Sequence, residues 1–245
     1  MADEPLFMVR AEFLESALFR FAAATGLALR IADGGYIMHA ALRALFGDAA
    51  PKPFTITSRR GDRGVLLGYS AAGHASLVER AQALADPLIL EAIDLNSLCS
   101  KRMPVQWRAE AVFRFTARCC PVVRTSGGSS SGSPREADAF LHQCWCSGEA
   151  VRVDREHVYR EWLQAQLGRD GAASLLHANL VRFQRARLSR QDRRGVESKL
   201  VRSEKPDATL EGHLRVDNPQ AFANLLRRGL GRHRAFGFGM LMLRH

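Results

Sequence analysis

Residues 208–243 read ATLEGHLRVDNPQAFANLLRRGLGRHRAFGFGMLML, and the punctuation of this stretch sets the fold. Ala208–Val216 alternates in the manner of a strand. Asp217 or Asn218 offers a helix cap, and Pro219 suits a first helical turn, so Pro219–Arg228 reads as a helix. Glycines at 229, 231, 237 and 239 break it, and Met240–Leu243 is apolar enough for a closing strand. Strand, helix, glycine-rich loop and strand make the second half of a βαββαβ unit.

Working back from there, Leu180–Leu188 (LVRFQRARL) alternates and predicts the partner strand, running on into the basic stretch Ser189–Gly195. Asp154–Leu167 (DREHVYREWLQAQL) reads as a helix capped by Asp154 and stopped by Gly168. Val105–Val123 reads as long strand material. Thr125–Pro134 (TSGGSSSGSP) is low-complexity. Strand signals on both sides favour a loop within a domain over a linker. Nearer the N-terminus, Leu6–Phe13 reads as a strand, and residues 16–29 fit a helix or a strand. Asp33-Gly34-Gly35 is a break, and Tyr36–Phe46 is a helix stopped by Gly47. Phe54–Ser58 and Val65–Ser70 read as paired strands with Arg59–Gly64 as their turn, followed by a short helix at Leu77–Leu84. The β-α-β-β-α-β order occurs twice. The expected fold class is α+β, two tandem ferredoxin-like (RRM-like) domains, residues 1–100 and 101–245, without sequence repetition between the halves.

Of 245 residues, 47% are hydrophobic, enough to build a core. No apolar run approaches ~18 residues, so no membrane span is expected. The acidic start Met1-Ala-Asp-Glu-Pro argues against a secretory leader. Five cysteines, at 99, 119, 120, 144 and 146, form no disulfide framework, and a reducing cytoplasm fits them. Cys144-Trp-Cys146 lacks companions that would complete a tetrahedral set; no metal and no cofactor are expected. The net charge is +10. Arginine carries nearly all of it, the lysines being Lys52, Lys101, Lys199 and Lys205. A planar guanidinium fork suits phosphate and base edges. A polyanion is the expected partner, nucleic acid ahead of a membrane surface; the competing reading is arginine bias from a GC-rich genome.

Two places concentrate chemistry. In the C-terminal loop, Gly229, Gly231, Gly237 and Gly239 allow close backbone approach and bare N–H groups, while Arg232, His233 and Arg234 add charge. Phosphate binding is the natural reading, and a structural turn is the plain one. The loop follows a helix and opens none, so it is no dinucleotide fingerprint. In the first half, Tyr36 and His39 lie three residues apart on a helix, on one face. Histidine titrates near neutrality and can move a proton; an ordinary histidine on a helix face is the plain alternative.

GLGRHRAFGFGMLML, preceded by LRVDNPQAF at 214–222, resembles the C-terminal signature of the repeat-associated proteins of CRISPR systems, most of all their CasE branch. The stretch DGGYIMHAALRALFG is similar to that branch's Tyr-x-x-His pair on a first helix. The resemblance implies tandem ferredoxin-like domains. It also implies a metal-independent endoribonuclease that binds and cuts the repeat hairpin of precursor CRISPR RNA. In it His39 is the general acid or base and Tyr36 its helper; attack of a 2′-hydroxyl leaves a 2′,3′-cyclic phosphate and a 5′-hydroxyl. The mature RNA and other CRISPR effector subunits are the implied partners. The sequence departs from the family in some twenty extra residues before Asp33, on the order set by motif spacing, and in lacking stacking aromatics on the sheet.

Arg182, Arg185, Arg187, Arg190, Arg193 and Arg194 form the densest basic run, suited to tracking phosphates along a hairpin. Lys199 and Arg202, in a polar segment between two strands, are candidates to stabilise a phosphorane. Two other readings stay open: a non-catalytic subunit that holds the hairpin while another nuclease cuts, and an unrelated basic ferredoxin-like RNA-binding protein.

Overall fold

The structure, a computed structural model, describes residues 4–27, 34–84, 86–125, 135–147, 152–192 and 199–244. The first half runs β1 (Phe7–Leu14), α1 (Glu15–Ala24), α2 (Gly34–Phe46), β2 (Phe54–Arg60), β3 (Arg63–Ser70), α3 (His74–Leu84), α4 (Pro87–Ala92) and β4 (Ile93–Arg102). The second runs β5 (Val112–Cys119), β6 (Val122–Thr125), β7 (Arg135–Asp138), α5 (Ala139–Ser147), α6 (Arg155–Leu167), β8 (Ala173–Asp192), β9 (Lys199–Val216), α7 (Pro219–Arg228) and β10 (Leu241–Arg244). Each half builds a four-stranded sheet, ordered β2-β3-β1-β4 and β10-β5-β9-β8. All pairs are antiparallel. In each sheet the first and third strands pair in the centre, β1 with β3 and β5 with β9, and the last strand lies at an edge beside the first, the arrangement of a ferredoxin-like unit.

Helix α2 shows why the sequence folds as it does. Ile37, Met38, Ala41, Leu42, Leu45 and Phe46 recur with helical spacing and are all buried, packed with Val9, Ala11, Phe13 and Leu66 of the first sheet. Burying each large side chain contributes roughly 1.5–3 kcal/mol. That one-sided demand fixes the helix's rotation and turns the stripe Tyr36, His39, Arg43 away from the core. The second core sets Phe115, Ala117, Leu210 and Leu214 against Tyr159 and Leu163 of α6 and Phe222 and Leu226 of α7. The halves are joined: Tyr69 of β3 is buried within that second core, and its hydroxyl donates to the Leu241 carbonyl at 2.9 Å.

The caps fall where the sequence places them. Asp154 accepts from the backbone N–H groups of Glu156 and His157, and Asn218, not Asp217, accepts from Ala221 N–H. Other expectations are revised. Arg59–Gly64 is no six-residue turn: the strands continue to Arg60 and from Arg63, leaving Gly61 and Asp62 between them. Val105–Ala111 is not strand, and Pro121 divides the rest into β5 and β6. The strand at Ile93–Arg102 is unannounced because its sequence, IDLNSLCSKR, alternates poorly. Residues 16–29 resolve to helix at Glu15–Ala24. β8 and β9 are far longer than their apolar alternation, 20 and 18 residues, and pair along their whole length from Ala173–Val216 to Asp192–Lys199. Lys199 and Arg202 therefore lie on β9 itself, in register with Asp192 and Ser189, not in a segment between strands. β6 and β7 pair, Thr125 opposite Arg135, so the Gly/Ser-rich stretch, outside the described residues, joins two strands of one ribbon. No helix among the described residues is long and apolar enough to cross a membrane.

Candidate active site

His39 lines a cavity of about 650 Å³ at the junction of the two halves. Arg43, Lys52 and Arg227 line it too, with Glu4 and Asp48 at its edge and Tyr69 and Ser70 in its wall. Arg43 is paired with Asp48 at 2.8 Å, and Arg227 donates to the Glu4 carbonyl. His39 is half-buried. Its Nδ1 is buried without a hydrogen-bond partner. Burial first, then Lys52 and Arg43, lower its pKa from the ordinary histidine value. Burial and the two neighbouring cations disfavour the charged ring, so neutral imidazole is the resting form. Lys52 is solvent-accessible along the cavity it lines. Crowding by the protein, then Arg234 and Arg43, lower its pKa as well. A base in its neutral form thus shares one cavity with a cation whose proton is loosened.

Tyr36 stands beside this pair. Its ring centroid is 6.4 Å from that of His39 and 5.4 Å from that of Phe236 in the glycine-rich loop. The loop of the second half is therefore the backing of the first half's helix. A Cβ at Gly35 would stand 2.3 Å from the Phe236 carbonyl oxygen, so that approach needs glycine. The loop's own glycines serve the same close fit. Gly229 and Gly239 have φ of +71° and +82°. A Cβ on Gly229 would meet Pro53 and the Gly239 carbonyl; one on Gly239 would meet the Leu230 carbonyl. A Cβ on Gly231 would strike the Trp162 ring, and one on Gly237 would crowd Phe54. Several N–H groups expected to be bare are bonded within the protein: Gly229 to Leu225, Gly237 to Arg234, Gly239 to Arg118.

The loop's basic residues divide. Arg234 reaches back to the Arg228 carbonyl and stands close enough to Lys52 to depress it. Arg232 and His233 turn to Glu136 of β7 instead: Arg232 contacts one carboxylate oxygen, and His233 Nε2 lies 2.7 Å from the other. Lys205 of β9 is 3.1 Å from the same carboxylate. Burial alone would raise Glu136, but His233 and Lys205 hold it down at about 2. Burial lowers the His233 pKa against the pull of Glu136. With Lys205 and Arg232 on it, Glu136 stays ionised whether or not His233 carries a proton.

On the other side of the α2 N-terminus, Arg59, Arg118, Arg182, Gln184, Phe236 and Gly237 line a second basin of about 410 Å³. Asp207, buried on β9, takes Arg118 through two bonds of 2.9 Å and Gln184 Nε2 at 2.7 Å. This network seats the foot of the β8–β9 hairpin beside the loop. Arg182, Arg185 and Arg187 are exposed along β8; Arg185 and Arg187 share Glu204 at 3.5 and 3.6 Å. Arg190 is on β8, and Lys199 and Arg202 are on β9, at the far end of the hairpin. Arg193 and Arg194 lie outside the described residues. Sequence reading looked for the cation beside His39 at Lys199 and Arg202; the fold brings Lys52 there. Its only local signal was to be a rare lysine between two prolines, Pro51-Lys52-Pro53.

Tandem ferredoxin-like halves, with a histidine helix of one braced by a glycine-rich loop of the other, define a class of two-domain α+β proteins. The family can be stated directly: the chain belongs to the CRISPR associated protein family, whose profile matches residues 14–245. Three solved structures share its fold. Thermus thermophilus Cse3 bound to an RNA representing a pre-cleavage complex superposes with a TM-score of 0.63 at 17% identity, covering 98% of this chain and 100% of that one. Cas6e from Escherichia coli K-12 gives 0.52 at 17%, covering 97% and 98%. A chain of a CRISPR RNA-guided surveillance complex, pre-nicking, gives 0.57 at 14%, covering 96% and 98%. No curated protein matches the chain in sequence.

Proposed function

We propose that this protein is a CRISPR repeat endoribonuclease, which binds the hairpin of precursor CRISPR RNA and cuts it by attack of a 2′-hydroxyl on the adjacent phosphate. The observation that carries the reading is the meeting of His39 and Lys52 in one basic cavity. Neutral His39 takes the 2′-hydroxyl proton through Nε2, since Nδ1 is buried. The 2′-oxygen bonds to phosphorus and the bond to the 5′-oxygen breaks. Lys52 stabilises the charge that gathers on the phosphorane oxygens, and its loosened proton can pass to the departing 5′-oxygen. Tyr36 orients the reacting group. The products are a 2′,3′-cyclic phosphate and a 5′-hydroxyl, and no step needs a metal.

The stem is held by charge and shape. Arg182, Arg185 and Arg187 track its phosphates along the β8–β9 hairpin, with Arg190, Arg193, Arg194, Lys199 and Arg202 extending the same strip. The glycine-rich loop holds α2 in place through Gly229, Gly231, Gly237 and Gly239, and offers the exposed side of Arg232. The processed RNA stays bound and enters an effector complex with other CRISPR subunits. The family, the RNA-bound Cse3 fold and the chain from the surveillance complex support this reading.

The test is cleavage of a labelled cognate repeat RNA in excess EDTA, with binding measured in parallel. Wild type should cut, and His39→Ala should bind but not cut. Equal cutting by both removes His39 from the mechanism. Tight binding without cutting by either makes the chain a hairpin-holding subunit.

A further inference from the structure

A third pocket, of about 340 Å³, lies where the β6–β7 ribbon and α5 meet the β8–β9 hairpin, and the mechanism above does not use it. Leu141, Trp145 and Pro206 give it apolar walls. Trp145 is 68% exposed, whereas Trp107 and Trp162 are buried. An indole left in water beside a proline-walled slot, rather than folded into the adjacent core, is a free stacking face.

The acidic groups of the slot are neutralised by cations in and around it. Three carboxylates line it, and each is already matched. Asp138 holds Arg155, Glu136 holds Lys205 and Arg232, and Glu204 is shared by Arg185 and Arg187. Of these cations, Arg185 and Lys205 line the slot itself. Arg124, opposite Glu136 in the ribbon, adds a further exposed one. The slot is also continuous with the proposed RNA track, because Arg185 and Pro206 face each other across the β8–β9 hairpin.

We propose that this slot takes an unpaired nucleobase of the bound RNA, stacked on Trp145, with its phosphate toward Arg185 and Arg124. A duplex hides its base faces, so the occupant is a single-stranded nucleotide next to the stem rather than the stem itself. The inference rests on the RNA-binding reading and adds to it a second subsite, for flanking single strand.

The experiment uses the full chain and two probes: an oligoadenylate, and a GC-rich stem-loop RNA with or without a single-stranded adenylate flank. With Trp107 and Trp162 buried, quenching of indole fluorescence reports chiefly Trp145. Oligoadenylate should quench wild type, and the flank should tighten stem-loop binding. Trp145→Ala should remove the benefit of the flank, a loss of roughly tenfold in affinity, while leaving binding of the bare stem-loop unchanged; Trp145→Phe should keep most of the flank's benefit. Full stem-loop binding with no quench and no flank effect overturns the subsite and leaves the RNA-binding reading intact. Failure to bind either probe overturns both.

Discussion

The Phe236 ring lies 5.4 Å from that of Tyr36, and between their backbones Gly35 leaves no room for a Cβ against the Phe236 carbonyl. A loop from the end of the chain therefore sets the position of a helix near its beginning. Gly35→Ala should lose cleavage through displacement of α2, with an overpacking cost of about 2 kcal/mol. Denaturant unfolding would give the cost, and single-turnover cleavage the loss. A stable, fully active variant would show that the contact is not needed.

His39 is neutral at rest, since burial, Lys52 and Arg43 all lower its pKa. The cleavage rate should rise with pH along an acid limb lying below the ordinary histidine value of about 6.5, then level off. The sign for stability agrees. A histidine with a lowered folded pKa contributes stability that is complete above about 6.5 and is lost as pH falls through its folded value. His39→Gln should flatten the acid limb and reduce the rate by about a hundredfold or more.

Lys52 carries the proposed charge stabilisation. Lys52→Ala should slow the chemical step by about 10²–10³-fold with little change in hairpin affinity, and Lys52→Arg should restore part of it. Because the Lys52 pKa is lowered, the rate of wild type should fall on the alkaline side at a pH below the ordinary lysine value of about 10.4. A pH–rate profile of Lys52→Arg that keeps the same alkaline limb would assign that limb elsewhere.

Glu136 gathers Lys205, Arg232 and His233 around one carboxylate. Its folded pKa is about 2, far below an unfolded glutamate near 4.3. The stability it contributes is present above that unfolded value and lost as pH falls toward about 2. Glu136→Gln should unfold more easily at neutral pH, by about 3 kcal/mol at most, and should show a flatter loss of stability in that acid window. Equilibrium unfolding at a series of pH values would read both.

The arginine strip makes a salt prediction. Replacing Arg182 by Ala removes a cation that donates to the neutral Gln184, so it should weaken hairpin binding and reduce the salt slope of log affinity by about one. Arg187→Ala should do less, because Arg187 shares Glu204 with Arg185.

Much of this was legible in the chain itself. The apolar spacing of α2 fixes which face carries Tyr36 and His39, because burial of Ile37, Met38, Leu42 and Leu45 leaves only one rotation. Asp154 marks a helix start by capping chemistry alone, and the Asp217-Asn218 pair marks another, where the structure selects Asn218. The βαββαβ order of the second half follows from local periodicity. Such signals are local: they depend on residues within a turn or a pleat of one another. The strand at Ile93–Arg102 and the outer half of the β8–β9 hairpin escaped because pairing partners, not their own alternation, hold them.

What only the tertiary structure decided is which distant residues share a site. Lys52 meets His39 because the segment between α2 and β2 lines the same cavity as α2. The loop glycines, read from sequence as room for a ligand, turn out to be room for Pro53, Phe54 and Trp162. His233 is taken by Glu136 from a ribbon ninety-seven positions away in the chain. Composition and spacing set the elements and the charge, since these follow from each residue's own chemistry and its near neighbours. The cavity, its lowered pKa values and the partner of each cation follow from packing two sheets together, a long-range fit that no short stretch of sequence encodes.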